Sequence, residues 1–175
     1  VGLPGSALTP AGTSQRYNLA RLTGEQAVRL IEMGLKPSAI MTREAFEDAI
    51  AVVMAIGGSL NAVLHIPAIA HELRIEISME DFERISESVP LIAQVTPNSD
   101  ENTVIDLYFS GGVVALIREL KDYLNLDRKT VLNDTWRDII GKSEGFRPLK
   151  SIIRSVSDPI VKGGAIKVLR GNLAP

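Results

Sequence analysis

The 175-residue chain has no cysteine, and that absence removes several chemistries before any motif is read. Disulfides, a thiol nucleophile, and any thiolate-bound metal or iron–sulfur cluster held by these residues alone are excluded. Net charge is also scarce: 19 basic against 21 acidic side chains leave −2 and a pI near 5.7. No basic surplus is available to hold nucleic acid or an anionic membrane, and neither is expected as a partner. Long apolar runs are missing too. The strongest, Ala49 to Ile56, is far short of the roughly 20 residues that span a bilayer, and no basic-then-apolar secretory signal opens the chain. The expectation is a soluble, cytoplasmic protein.

Catalytic signatures are equally thin. No G-x-S-x-G, P-loop or G-x-G-x-x-G motif occurs. The two histidines, His65 and His71, are six residues apart. They fall on different faces of a helix, whereas a two-histidine metal helix uses a spacing of four. No metal site is expected from them.

What is present is apolar material for a core, 45% of the residues, arranged mostly at helical spacing. After a Gly/Pro/Ser/Thr loop, Leu19, Leu22, Ala27, Leu30 and Ile31 recur until Gly34. Past the connector "KPSAIMT", Thr42 reads as an N-cap with Met41 and Phe46 as a hydrophobic staple. The helix that follows becomes apolar on nearly all sides after Asp48, the pattern of a central element. Gly57-Gly58 ends it, Ser59 reads as the cap of a third helix through about Leu73, and Pro67 is expected to kink or split that helix. Ser78 and Asp81 start a short helix carrying Phe82, Ile85 and Val89, stopped by Pro90. "TPNSDEN" reads as an exposed loop, and the acidic cluster Glu76, Glu80, Asp81, Glu83 and Glu87, mostly on the outside of the short helix before it, as a solvated face. A second Gly-Gly break at Ser110 to Gly112 precedes a helix with Val113, Leu116, Ile117 and Leu120 on one face. Thr135 with Asp138 caps a further short helix containing Trp136, which reads as core. Beyond "GKSEGFRP", the runs "SIIRSV" and "AIKVL" look like short strands separated by turns.

The stretch "MAIGGSLNAVLH" holds the candidate chemistry. If Ser59 caps a helix, the N–H groups of Leu60, Asn61 and Ala62 are free and two glycines permit close approach by a carboxylate or phosphate. Asn61 and His65, four apart, share one face with Ala68 and Glu72, a polar line in an apolar helix. The competing reading is structural: Gly-Gly for close helix crossing, Asn61 bonded to a loop, His65 satisfied in the core.

Longer motifs carry a resemblance. "MTREAFEDAIAVVMAIGGSLNAVLHIPAIA" (Met41 to Ala70), "MEDFERISESVPLIAQVTPN" (Met79 to Asn98), "DLYFSGGVVALIREL" (Asp106 to Leu120) and "GGAIKVLRGNLAP" (Gly163 to Pro175) resemble, in order, segments of the dihydroxy-acid dehydratase and phosphogluconate dehydratase family. "GLPGSALTPAG" near the start resembles the segment after that family's last cluster cysteine. Two positions depart from the family pattern: Leu60, where threonine is usual, and Pro67, where an aliphatic residue is usual.

The resemblance implies a hydro-lyase that removes water from a 2,3-dihydroxy acid, a branched-chain amino acid precursor or a sugar acid, to give a 2-keto acid. It also implies an iron–sulfur cluster and a magnesium ion in the parent enzyme, with the ligands and the proton-abstracting base lying mostly outside this stretch. The fold class expected is α/β and helix-rich, a partial N-terminal domain with short β-strands at its C-terminal end. Residues 1–150 would be the later part of that domain, and residues 151–175 a β-like segment leading into a C-terminal β-rich domain.

The opening on Val1 and the stop at "RGNLAP" agree with a piece of a longer chain. Its role would be scaffold and cavity wall, with Ser59, Asn61 and His65 facing a small dihydroxy-acid substrate, and none of them catalytic or metal-bound. A homo-oligomer is expected, with apolar surface left exposed on helix 42–56. The alternative is a non-catalytic binding or assembly module derived from the same family.

Overall fold

A computed structural model describes residues 2–143 and 152–172; the anticipated boundary at 150/151 and part of the preceding "GKSEGFRP" connector lie outside them. Eight helices follow one another among the described residues: α1 (Ser14–Glu32), α2 (Pro37–Ile40), α3 (Arg43–Ala55), α4 (Ala62–Glu72), α5 (Met79–Ser88), α6 (Val104–Phe109), α7 (Gly112–Glu119) and α8 (Trp136–Lys142). The connector "KPSAIMT" contains the one-turn helix α2, opened by Pro37 at its first position, where the missing N–H costs nothing.

Local capping sets most of these boundaries. Thr42 Oγ1 accepts from Ala45 N at 3.3 Å to start α3, and reciprocal capping boxes open α5 (Ser78/Asp81), α6 (Thr103/Asp106) and α8 (Thr135/Asp138). α3 is the central element. It packs against α4, α5 and α7 and buries Phe46, Ile50, Ala51, Met54 and Ala55. Around it sit Phe82, Ile85, Ile92, Leu107, Leu116 and Leu120, all nearly inaccessible to water. Full burial of each large side chain contributes about 1.5–3 kcal/mol.

Three expectations are corrected. Helix 42–56 carries no large exposed apolar side chain: Phe46, Ile50 and Met54 are buried, Val52, Val53 and Ile56 half-buried, and only Ala49 among its apolar residues is exposed, whereas α1, α4 and α6 each expose large apolar side chains. The third helix starts at Ala62 with Asn61 at its cap, not at Ser59, because residues 59–61 first make a tight turn in which Ala62 N donates to Ser59 O and Val63 N to Leu60 O, both at 3.0 Å. Pro67 does not split α4, which runs unbroken to Glu72.

The C-terminal runs expected as strands are turns, bends and irregular backbone instead, and build no ladder among the described residues. Leu91 and Val161 form a single antiparallel bridge, Arg154 N donates to Ile92 O, Gly164 N to Ser86 O and Ala165 N to Met54 O. Each run docks on helix ends and on the buried segment 91–93 rather than beside a strand. Gly164 permits the closest of these contacts: an added Cβ would lie 2.7 Å from Met54 Cβ. Trp136 is half-buried at the rim of the core.

Asp81 joins α5 to α3. Its carboxylate receives the Ser78 N–H at 3.0 Å, Arg43 Nη2 at 2.7 Å and Arg84 Nη2 at 3.1 Å. Burial pushes its pKa up, but the Ser78 N–H and the two guanidinium groups outweigh burial and hold it below the ordinary carboxylate value. A depressed carboxylate contributes stability above its unfolded pKa and loses it as pH falls through the folded one.

Two predictions follow from packing and charge. Gly164→Ala should destabilise the chain by about 1–3 kcal/mol through overpacking on Met54, whereas Gly141→Ala, in α8 with open space around it, should raise stability by about 0.5–1 kcal/mol; urea melts of the pair test the opposite signs. Asp81→Asn should cost about 1–2 kcal/mol near neutral pH, with the gap to wild type closing only below about pH 4 in thermal melts across the acid range.

Candidate functional site

The C-terminal end of α3 opens onto a cleft of about 1130 Å³. Gly57 reverses the chain there with φ +62, a left-handed conformation that favours glycine, and Gly58 N closes the turn on Val53 O at 2.9 Å. A Cβ on Gly58 would meet Val53 Cγ1 at 2.9 Å, so both glycines answer to backbone geometry rather than to an open anion cradle. The opposite wall is the loop 94–98, with a cis Thr96–Pro97 peptide. Asn98 Nδ2 donates to the Gly57 carbonyl and ties the two walls together. The tail from Val161 through Lys167 completes the enclosure.

The lining is largely aliphatic, from Leu8, Ile56, Leu91, Val95, Leu107 and Ile166, with polar groups from Ser59, Gln94, Thr96, Asn98 and Lys167. Among the described residues Lys167 is the one ionisable side chain on that lining, and its Nζ also reaches Ser86 O at 3.4 Å. The arrangement suits a small molecule with a carboxylate or hydroxyls and an aliphatic portion.

The three residues singled out in the sequence are placed unequally. Ser59 lines the cleft, while Asn61 and His65 are exposed on α4, one turn apart, and do not line it. The N–H groups anticipated as free are partly used: Ser59 Oγ accepts from Asn61 N at 3.2 Å and Ser59 O accepts from Ala62 N at 3.0 Å. The turn therefore satisfies internally most of what an anion would have bound. The core-histidine reading fails as well, since His65 and its line with Asn61, Ala68 and Glu72 face outward. Sequence reasoning missed Gln94, Asn98 and Lys167. "TPN" carried a turn signal but nothing that tied Asn98 to Gly57, which are 41 residues apart.

A second, smaller cavity of about 350 Å³ lies between α3 and the loop 124–131. At its edge Asp48 receives Arg128 Nε at 2.6 Å. Burial raises the Asp48 pKa against the opposing pull of the Asn125 N–H and Arg128. Arg128 is further engaged by Thr42 and Glu44, so this cavity has no spare charge directed into it.

No group of three or more His, Asp or Glu side chains among the described residues is placed to hold a metal ion, and the chain contains no cysteine. An iron–sulfur cluster, implied by the resemblance, therefore finds no thiolate donor in this chain.

Comparison with known proteins agrees with the motif reading. A profile of the family described as dihydroxy-acid/6-phosphogluconate dehydratase, N-terminal, matches residues 1–139. The dihydroxy-acid dehydratase of Pyrococcus furiosus is 42% identical over 177 aligned positions, covering 100% of this chain and 32% of that protein. Those of Halothermothrix orenii and Acetivibrio thermocellus are each 44% identical, again over the whole chain and over 32% and 31% of their own lengths. The chain thus spans about a third of the length of the curated relatives it matches. On the extent of the profile match and the ordered motifs, the chain belongs to the dihydroxy-acid/6-phosphogluconate dehydratase N-terminal family.

Proposed function

We propose that this chain is the part of a hydro-lyase that forms the scaffold and one wall of the cavity where a 2,3-dihydroxy acid is dehydrated to a 2-keto acid. The observation that carries this reading is the cleft at the end of α3, in which one cation, two carboxamides and two hydroxyls sit among aliphatic side chains. A dihydroxy acid has complementary features: a carboxylate for Lys167, hydroxyls for Ser59, Gln94 and Asn98, and a carbon chain for the apolar wall.

In the reaction, the C2 proton and the C3 hydroxyl leave as water, and the enol tautomerises to the keto acid. The residues present bind and orient; the proton acceptor and the metal ligands belong to other parts of the longer protein. The names of the relatives support a dihydroxy acid as substrate, and the resemblance admits either a branched-chain amino acid precursor or a sugar acid. No described helix is long and apolar enough to cross a membrane, and a cytoplasmic setting goes with the reading.

Two measurements test it. In the longer protein that carries this stretch, Lys167→Ala should raise KM at least tenfold, whereas Asn61→Ala and His65→Ala, which do not line the cleft, should leave KM and turnover unchanged. Because Asn61 and His65 are exposed, their loss should move stability by no more than about 0.5 kcal/mol. An unchanged KM in Lys167→Ala would remove the cleft from the site, and lowered turnover in the other two would bring the exposed face of α4 into it. Separately, the 175-residue chain incubated with iron and sulfide should stay colourless and inactive; a visible charge-transfer band with keto-acid formation would overturn the division of labour.

A further inference from the structure

The two walls of the cleft at the end of α3, the Gly57 reversal and the loop 94–98, are joined at their base by backbone bonds: Ile92 N and Ala93 N donate to Ala55 O at 2.9 and 3.0 Å. Beyond that base the described residues show one hydrogen bond between the walls, from Asn98 Nδ2 to Gly57 O. No backbone amide among the described residues donates to that carbonyl. The approach is close. A Cβ built on Gly57 would lie 3.5 Å from Gln94 Cγ, 3.6 Å from Asn98 Nδ2 and 3.7 Å from Leu91 Cδ1.

The loop that carries Asn98 is braced on itself. Asn98 N donates to Val95 O at 2.9 Å, Thr96 N donates to Asn102 O at 2.8 Å, and Thr96 Oγ1 lies within hydrogen-bond reach of Ser99 O and Asn102 O at 3.0 and 3.1 Å. Thr103 follows at once as the cap of α6, which sets Val104 and Leu107 on the cleft lining. All of the bracing lies within residues 95–102, so it holds the shape of the loop without holding its distance from Gly57. That distance is left to the Asn98 carboxamide.

We infer that Asn98 is a positioning residue that fixes the width of the cleft and, through it, the length of carbon chain the site accepts, a role that rests on the reading of this cleft as one wall of the dihydroxy-acid cavity. At the clamped point the polar Gln94 and the aliphatic Leu91 are both held against the reversal. With the carboxamide gone, the braced loop draws back as a unit and takes Gln94 and Val95 with it, which adds room for carbon. In a close-fitting apolar pocket one methylene changes selection by roughly ten- to 200-fold, so a small change in wall separation has a large effect on chain-length preference.

In the longer protein that carries this stretch, kcat and KM for unbranched 2,3-dihydroxy acids of increasing chain length test the clamp. Asn98→Ala should reduce the preference for the shortest over the longest acid, as a ratio of kcat/KM values, by about tenfold or more, chiefly through a lower KM for the longest. Asn98→Asp, which keeps the shape but has no donor for Gly57 O at neutral pH, should relax the ratio likewise. Asn98 is exposed, and a ratio of two substrates does not depend on the fraction of enzyme that is folded, so lost stability cannot imitate the result. Lys167→Ala measured in parallel keeps two failures apart. An unchanged KM in that variant would remove the cleft from the site and the clamp with it. A raised KM there, combined with an Asn98→Ala ratio within about twofold of wild type, would overturn the clamp alone, because loss of a direct contact slows every chain length by the same factor. A ratio relaxed in Asn98→Ala but not in Asn98→Asp would make side-chain bulk the cause and would overturn it as well.

Discussion

Two carbonyl groups at the end of α3 organise the molecule. A helix leaves its last carbonyls without partners; here Met54 O is taken by Ala165 N, and Ala55 O by both Ile92 N and Ala93 N. The partners come from the tail and from the segment after α5, so one helix end gathers two distant parts of the chain. The side chains of Met54 and Ala55 are fully buried beneath those bonds. Apolar burial supplies most of the driving force, and the hydrogen bonds fix where the tail runs. Gly164 is small because the tail passes directly over Met54.

The helices opened by Thr42, Ser78 and Thr135 were legible from their own sequences because their signals are local, whereas α2 read as a connector and α6 with its Thr103 cap was not read as a helix. Thr42, Ser78, Thr103 and Thr135 each satisfy orphan amides within three residues, and each stands where the helix begins. The tail was harder to read. "AIKVL" has strand-like residues, but a strand requires a partner in register, and whether a partner exists depends on contacts many residues away. Ser86 Oγ donating to Ile166 O at 2.5 Å, across 80 residues, is one such contact.

The site divides along the same line. Gly57 and Gly58 announced a special backbone, and the structure has one, yet its purpose is a reversal held by Val53 and Asn98 rather than a cradle for an anion. Ser59 reached the cleft and Asn61 and His65 did not, because the helix begins two residues later than a serine cap would give, leaving Ser59 in the turn at the cleft while Asn61 and His65 stand on the exposed side of α4. Lys167 had no signal at all: a single lysine in a strand-like run becomes the cation of a cleft only after the tail has folded back past α5.

The shared helix end also ties two regions into one cooperative unit. Gly58 N bonds to Val53 O, one residue before Met54, and Gly57 O carries the Asn98 carboxamide. If the tail lifts away, Met54 O loses its partner, and the last turn of α3, from which the Gly57 reversal springs, loses the packing that keeps it wound. The opening free energy of the tail and that of the cleft wall are therefore linked, and protection of amides in one region follows protection in the other.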